Sequence, residues 1–274
     1  MLQVIHAFRK RNPLTPAIHA AFTGTLPSSA GLGAFAALAT SLALALDHLA
    51  GTHLSAFEMT ELCGLADMLP ILLAKHECAL KLDGSTEEHS CIPLRINPYR
   101  FLLSYVPLRL TPDEILAAAS RLPSAKDWDA VRLSEENRHV LEAEKCLLAG
   151  DLDRFGKLLN HSARSEKRNL PFPSREADTL MELSSMHEGI LGGTYLGDGP
   201  EAAILSLVHR DAVTGFTDSI RKGFRREYGL DPSVIECHPS DGASVSEGMD
   251  GLESHPGWSV GGSRILPAGF GSRH

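Results

Sequence analysis

The chain has 274 residues, enough to bury one large core or two modest ones, and two lobes is the better expectation. With 43% apolar and 22% charged residues the composition is that of an ordinary globular protein, which excludes disorder throughout. A formal net charge of -8 without a Lys/Arg stripe argues against a nucleic-acid or anionic-membrane partner, while a single nucleotide, needing only a local dipolar site, stays allowed.

Leu2 to Arg11 reads as a helix that Pro13 ends, and this opening is too short and too charged for a signal peptide. Ile18 to Thr25 reads as a strand, followed by a turn-rich loop from Pro27 to Gly33. Ala34 to Ala50 is almost all Ala and Leu, strong helix formers, and is closed by Gly51. Thr40, Ser41 and Asp47 interrupt this most apolar run, which falls short of a membrane span, so a soluble cytoplasmic protein is expected. A second helical stretch runs from Ala56 to about Lys75, with a break or kink expected near Pro70. Glu77 to Asp83, Ile92 to Arg95 and Arg100 to Val106 read as short strands.

After Pro112 the character changes. Asp113 to Arg121, Ser134 to Leu148 and Asp151 to Ser165 read as amphipathic helices, and a Pro-containing connector leads to another helix from Arg175 to His187. Ala202 to Val208 is a buried strand, Ala212 to Tyr228 a helix and Ser233 to His238 a last strand. Strand, helix, strand suggests a split βαβ lobe of the ferredoxin-like kind. The Gly- and Ser-rich stretch after Ser244 is expected to be a mobile tail. Five scattered cysteines (Cys63, Cys78, Cys91, Cys146, Cys237), odd in number and without CxxC spacing, indicate neither a zinc site nor a disulfide framework; reduced, buried thiols are expected.

The loop LPSSAGLG, between a strand and a long Ala-rich helix, has physical content. Gly31 and Gly33 permit backbone geometry that side chains forbid, and the free N–H groups of the following helix favour an anion. The same pattern also serves tight turns that bind nothing. The longer stretch TGTLPSSAGLGAFAALATSLALAL resembles the nucleotide loop of the GHMP (galactokinase, homoserine, mevalonate and phosphomevalonate) kinases: a strand, a Pro, then Gly-Leu-Ser-Ser-Ser-Ala or Gly-Leu-Gly-Ser-Ser-Ala, then a helix. The resemblance implies that Ser28, Ser29, Gly31, Leu32 and Gly33 line the ATP phosphates. It breaks at the metal chemistry. Ala34 and Phe35 stand where the family has serines and Ala39 where galactokinases carry an acid, so no metal ligand is assigned.

Further segments carry the likeness to the galactokinase branch. Cys63-Gly64-Leu65-Ala66-Asp67 resembles Cys-Gly-Ile-Met-Asp, whose aspartate accepts the proton of the sugar hydroxyl, and LLAKHECALKLDG continues the match. Asp67 is therefore the implied catalytic base; read without the resemblance it is an ordinary polar residue on a helix face. Arg154 to Ser165 (RFGKLLNHSARS) resembles a galactokinase helix. GILGGTYLGDGPEAAILSLV resembles the family's third, glycine-rich motif, which places Gly197 and Gly199 beside the nucleotide, with the acid Glu201 unfavourable near phosphates. The ending Pro239-Ser240-Asp241-Gly242-Ala243 again resembles galactokinases.

The resemblance thus implies an α+β, two-lobed GHMP-kinase-like fold. Residues 1–110 would form a partial nucleotide-loop lobe, 111–244 a ferredoxin-like C-terminal lobe and 245–274 the tail. The family's arginine- and histidine-bearing first motif precedes the matching region, so the chain is expected to be N-terminally truncated, with an incomplete lobe that invites oligomerisation. The implied activity is ATP-dependent phosphorylation of a monosaccharide hydroxyl, with ATP and Mg²⁺ as the family's cofactors. The alternative is a non-catalytic pseudokinase with a ligand-binding or regulatory role, which Ala34, Phe35, Ala39 and Glu201 favour.

Overall fold

The structure, a computed structural model, describes residues 1–13, 15, 17–27, 31–83, 86–106, 130–169, 175–196 and 203–246. The chain divides into a compact unit, Met1–Ala243, and a second, Ser244–His274. The boundary expected near residue 110, the helix expected from Asp113 to Arg121 and nearly all of the tail lie outside the described residues.

The first part of the compact unit is a helix cluster. Helix α1 (Leu2–Arg11) ends where expected: Asn12, before Pro13, takes extended backbone (φ -133°, ψ 97°), as a residue preceding proline must. Helix α2 (Ala34–Ala50) runs to Gly51, whose left-handed backbone (φ 63°) lets its N–H and that of Thr52 reach the carbonyls of His48 and Asp47. The Asp47 carboxylate, nearly buried, accepts hydrogen bonds from the Thr52 hydroxyl (2.6 Å) and the Leu54 amide (3.0 Å), and so shapes the connection to α3. Helix α3 (Ala56–Cys63) opens with a reciprocal cap: the Glu58 amide donates to Ser55 Oγ, and the Ser55 amide donates to Glu58 Oε2. Val4 and Phe8 of α1, Leu42 and Leu46 of α2 and Met59 of α3 bury against one another.

Two expectations fail in this region. Ile18 to Thr25 forms no strand, because a strand needs a neighbour to complete its ladder and no described strand lies against these residues. Only Ile18 packs against the helix cluster, while Phe22 and Leu26 stay exposed. The helix expected from Ala56 to Lys75 is broken at Gly64 rather than at Pro70. Gly64 is a left-handed C-cap (φ 64°) that ends α3, and Pro70 sits in the first turn of the next helix, α4 (Met68–Leu73), where its missing N–H costs nothing.

Strands β1 (Cys78–Leu82) and β2 (His89–Pro93) form an antiparallel hairpin. Strand β3 (Tyr99–Tyr105) is followed by the described helices α5 (Ala130–Ala149), α6 (Leu152–Asn169) and α7 (Arg175–Ser185). Then come β4 (Ile190–Leu196), β5 (Ala203–His209), a 3-10 turn (Arg210–Ala212), α8 (Val213–Tyr228) and β6 (Ser233–Cys237). The sheet order is β4-β5-β3-β6, antiparallel throughout. With α7 and α8 between their strands, β3-α7-β4-β5-α8-β6 is the expected split βαβ arrangement, α5 and α6 being inserted after β3.

Alternation along the strands builds two apolar layers. Leu102, Ile204 and Val208 meet Leu180 of α7 and Phe216, Ile220 and Phe224 of α8. On the opposite face Phe101 and Leu207, directly paired, meet Cys146 and Leu147 of α5 and Phe155 of α6. The β1–β2 hairpin joins this second layer through Ile92, and Lys81 of β1 pairs with Glu144 of α5 (2.6 Å).

Two glycines make close approaches that no other residue permits. A Cβ on Gly192 would lie 1.9 Å from the Gly156 carbonyl oxygen, so α6 lies almost in contact with the β4 backbone. A Cβ on Gly242 would lie 2.6 Å from the Leu72 carbonyl oxygen and 2.8 Å from that of Ile71. There, past the end of β6, residues 239–243 form a strap across α4 and the entry to β1. The Gly242 amide donates to Ala74 O (2.9 Å), Ala243 to Ile71 O (2.8 Å), Glu77 to Pro239 O (3.4 Å), and His76 to the Asp241 carboxylate (3.1 Å).

Both contacts are testable. Overpacking of this kind costs about 1–3 kcal/mol. Gly242→Ala is expected in that range, and Gly192→Ala at its top, because the atom it meets is closer and is backbone on both sides. Urea unfolding midpoints of the two variants against the unmodified chain measure this. An unchanged midpoint for Gly192→Ala would contradict the close packing of α6 on β4.

Candidate functional site

The turn before α2 has the geometry its glycines suggested. Gly31 (φ 65°) and Gly33 (φ 69°) are both left-handed, and Gly33 is the N-cap of the helix. The first helical bond joins the Ala37 amide to Gly33 O (2.8 Å), so the amides of Ala34, Phe35 and Ala36 precede the ladder and have no partner within the helix. The first turn holds no acidic residue, and the helix is 17 residues long, so its dipole is open to an anion at this end. Leu32 is half-buried between the glycines. Ser28 and Ser29 lie outside the described residues.

The side chains that follow are apolar. Phe35 is exposed (56%), whereas Ala39 is fully buried beside Leu42, Ala43, Met59 and Met68. Thr40 and Ser41, the nearest hydroxyls of α2, donate back to the carbonyls of Ala36 and Ala37, one turn earlier.

Asp67 is the residue before α4, in an exposed turn that begins at the Gly64 cap. The amides of Met68 and Leu69 bond to the carbonyls of Leu65 and Ala66 (both 3.1 Å), which tightens the turn. Asp67 makes no side-chain capping bond, so its carboxylate is not spent on the helix it precedes. Met68, next in sequence, is fully buried, and α4 packs against α2 and α3. The helix that starts at the glycine turn and the one that starts at Asp67 therefore belong to one cluster. Gly197, Gly199 and Glu201 lie outside the described residues.

Two supporting features went unread in the sequence. No strand was expected at Ile190–Leu196, where paired glycines weaken the strand pattern. The side chain of Asn160 on α6 binds β4: the Gly193 amide donates to Asn160 Oδ1 (3.0 Å), and Asn160 Nδ2 donates to Leu191 O (3.5 Å), across the irregularity between Ile190 and Gly192. The strap is the second; its Pro-Ser-Asp-Gly composition signals a turn, and nothing local says which carbonyls it will meet. A cavity of about 350 Å³ beside the strap is lined by His76, Glu77, Arg100, Cys237 and His238. A groove of about 860 Å³ between α1 and α3, lined by Leu2, His6, Lys10 and Glu61, contains none of the expected site residues.

Comparison with known proteins agrees with this architecture. Residues 1–74 match the GHMP kinases N terminal domain. A galactokinase from Thermotoga neapolitana is 25% identical over 87% of this chain and 79% of its own length. One from Clostridium acetobutylicum is 25% identical over 81% and 69%. The structure of Lactococcus lactis galactokinase complexed with galactose superposes with a TM-score of 0.71, at 22% identity, over 88% of this chain and 74% of that one. A putative homoserine kinase from Listeria monocytogenes superposes with a TM-score of 0.58 at 19% identity. At such identities the structural likeness establishes the fold. Together with the matching N-terminal domain and the galactokinase relatives spanning most of the chain, it shows a GHMP-kinase-like fold in a chain similar to galactokinases.

Proposed function

We propose that the chain is a sugar-kinase relative that keeps the phosphate cradle for ATP and has lost metal-assisted phosphoryl transfer. The observation that carries the binding half is the start of α2: two left-handed glycines, three amides ahead of the helical ladder and no acid in the first turn. Backbone donors and a helix dipole suit polyphosphate whatever the neighbouring side chains are. Ser28, Ser29, Leu32 and the loop of Gly197 and Gly199 complete this proposed nucleotide site, and a monosaccharide is the proposed second ligand.

The residues present do not suit Mg²⁺. It requires oxygen ligands at near-octahedral geometry. Ala34 and Phe35 offer none, and Ala39 is enclosed in the apolar helix cluster, where a carboxylate would itself be costly.

A second reading, an active sugar kinase, is favoured by Asp67. Its carboxylate is exposed and makes no cap, and it begins a helix packed on α2. In that role it would accept the hydroxyl proton as the sugar oxygen attacks phosphorus, positioning the nucleophile more than driving the reaction.

Titration calorimetry separates the binding modes. The expected result is weak ATP binding of equal strength with and without Mg²⁺; tight binding that depends on Mg²⁺ would restore the metal site and the kinase reading.

Turnover is the second measurement. Loss of one electrostatic stabiliser slows a reaction by about 10²–10³-fold, and two such positions are altered here. Galactose, arabinose and uronic acids are each expected to remain unphosphorylated when incubated with labelled ATP. Robust turnover that vanishes in Asp67→Asn would establish the active kinase instead.

A further inference from the structure

The cysteines are free, and the expectation that they are buried holds only for Cys146: Cys63, Cys78 and Cys237 are half-buried, and Cys91 is exposed. Two of them share a hairpin. In the β1–β2 register Cys78 stands opposite Pro93 and Leu80 opposite Cys91. Residues directly opposite share a face, so Cys78 and Cys91 are diagonal neighbours on one side of the hairpin. Ala79 and Ile92, the pair between them, take the other side and meet the second apolar layer of the sheet. The thiol side is therefore the outer one, and Cys91 is near enough to help push the Cys78 thiol up.

We infer that Cys78 and Cys91 are an oxidisable pair, a modification site at which a hydroperoxide forms an intramolecular disulfide across the β1–β2 hairpin. Exposure assigns the order of events. The Cys91 sulfur, as thiolate, attacks the outer peroxide oxygen; an S–O bond forms, the O–O bond breaks, and the departing oxygen leaves as water or alcohol after taking a proton. The Cys78 thiol then loses its proton and its sulfur attacks the Cys91 sulfenic acid. The S–S bond forms, the S–O bond breaks, and the oxygen leaves as water. Two thiols are thus oxidised by two electrons and one hydroperoxide is reduced; a dithiol reductant reverses the change.

The surroundings of Cys78 disfavour it as the first nucleophile. Burial pushes its thiol up, the Cys91 thiol adds to this, and the Glu77 and Asp241 carboxylates contribute further, so Cys78 is the poorer first nucleophile. Glu77 and Asp241 are also strap contacts, which places the cross-link beside the segment that holds α4.

The test uses the full chain and does not depend on the kinase reading. After exposure to hydrogen peroxide and digestion with trypsin without reductant, peptides 76–81 and 82–95 are expected as one cross-linked species lacking two hydrogens, which dithiothreitol separates. Cys146 is expected to stay a thiol. Cys78→Ser is expected to leave a sulfenic acid at Cys91 that a 1,3-diketone traps, and Cys91→Ser to abolish the cross-link. Sulfinic acid at Cys91 without the cross-link, a bridge between two chains, or two unchanged thiols in the unmodified protein would each overturn the proposal.

Discussion

The carbonyl groups at the end of α4 have no partner within their own helix, and the strap beyond β6 supplies it. Helix α4 is only six residues long, too short to be stable alone, so its position depends on what meets its ends. Met68 anchors one end in the helix cluster, and the amides of Gly242 and Ala243 bond to Ala74 and Ile71 at the other. Because those amides follow β6, the helix cluster that carries Asp67 is tied to the four-stranded sheet through main-chain bonds. Gly242 permits the approach; any Cβ there would press on two carbonyl oxygens.

The sheet is closed on its other side by a second backbone contact. Gly156 and Gly192 bring α6 against β4, and Asn160 then hydrogen-bonds the strand's main chain through both ends of its amide. Strand β4 is thereby held at an irregular point of an edge strand, where unpaired groups are hardest to satisfy.

The chemistry of α2 is decided by a conflict between packing and ligation. Ala36, Ala39 and Ala43 are small enough to let the neighbouring helices close around them, and all three are buried. The same small side chains carry no oxygen. In the proposed reading, the start of the helix, where only backbone is required, serves an anion, while the positions one turn on, where side chains would have to reach a cation, do not.

The sequence by itself determined the elements whose cause is local. The bounds of α1 and α2 follow from Pro13, from Ala and Leu content and from Gly51. The closing order of β5, α8 and β6 follows from alternating and helical periodicities. Tertiary structure decided what depends on distant partners. Ile18 to Thr25 was expected as a strand but has no described neighbour, while Ile190–Leu196, where no strand was expected, pairs along β5. The break at Gly64 outranked the one expected at Pro70, because a proline in a helix's first turn lacks only an N–H that would have no helical partner anyway. The strap and the Cys78–Cys91 contact join residues far apart in the chain or diagonal in a register. Hydrogen bonds and thiol contacts of that kind are properties of the folded arrangement and leave no local signal in either partner's sequence.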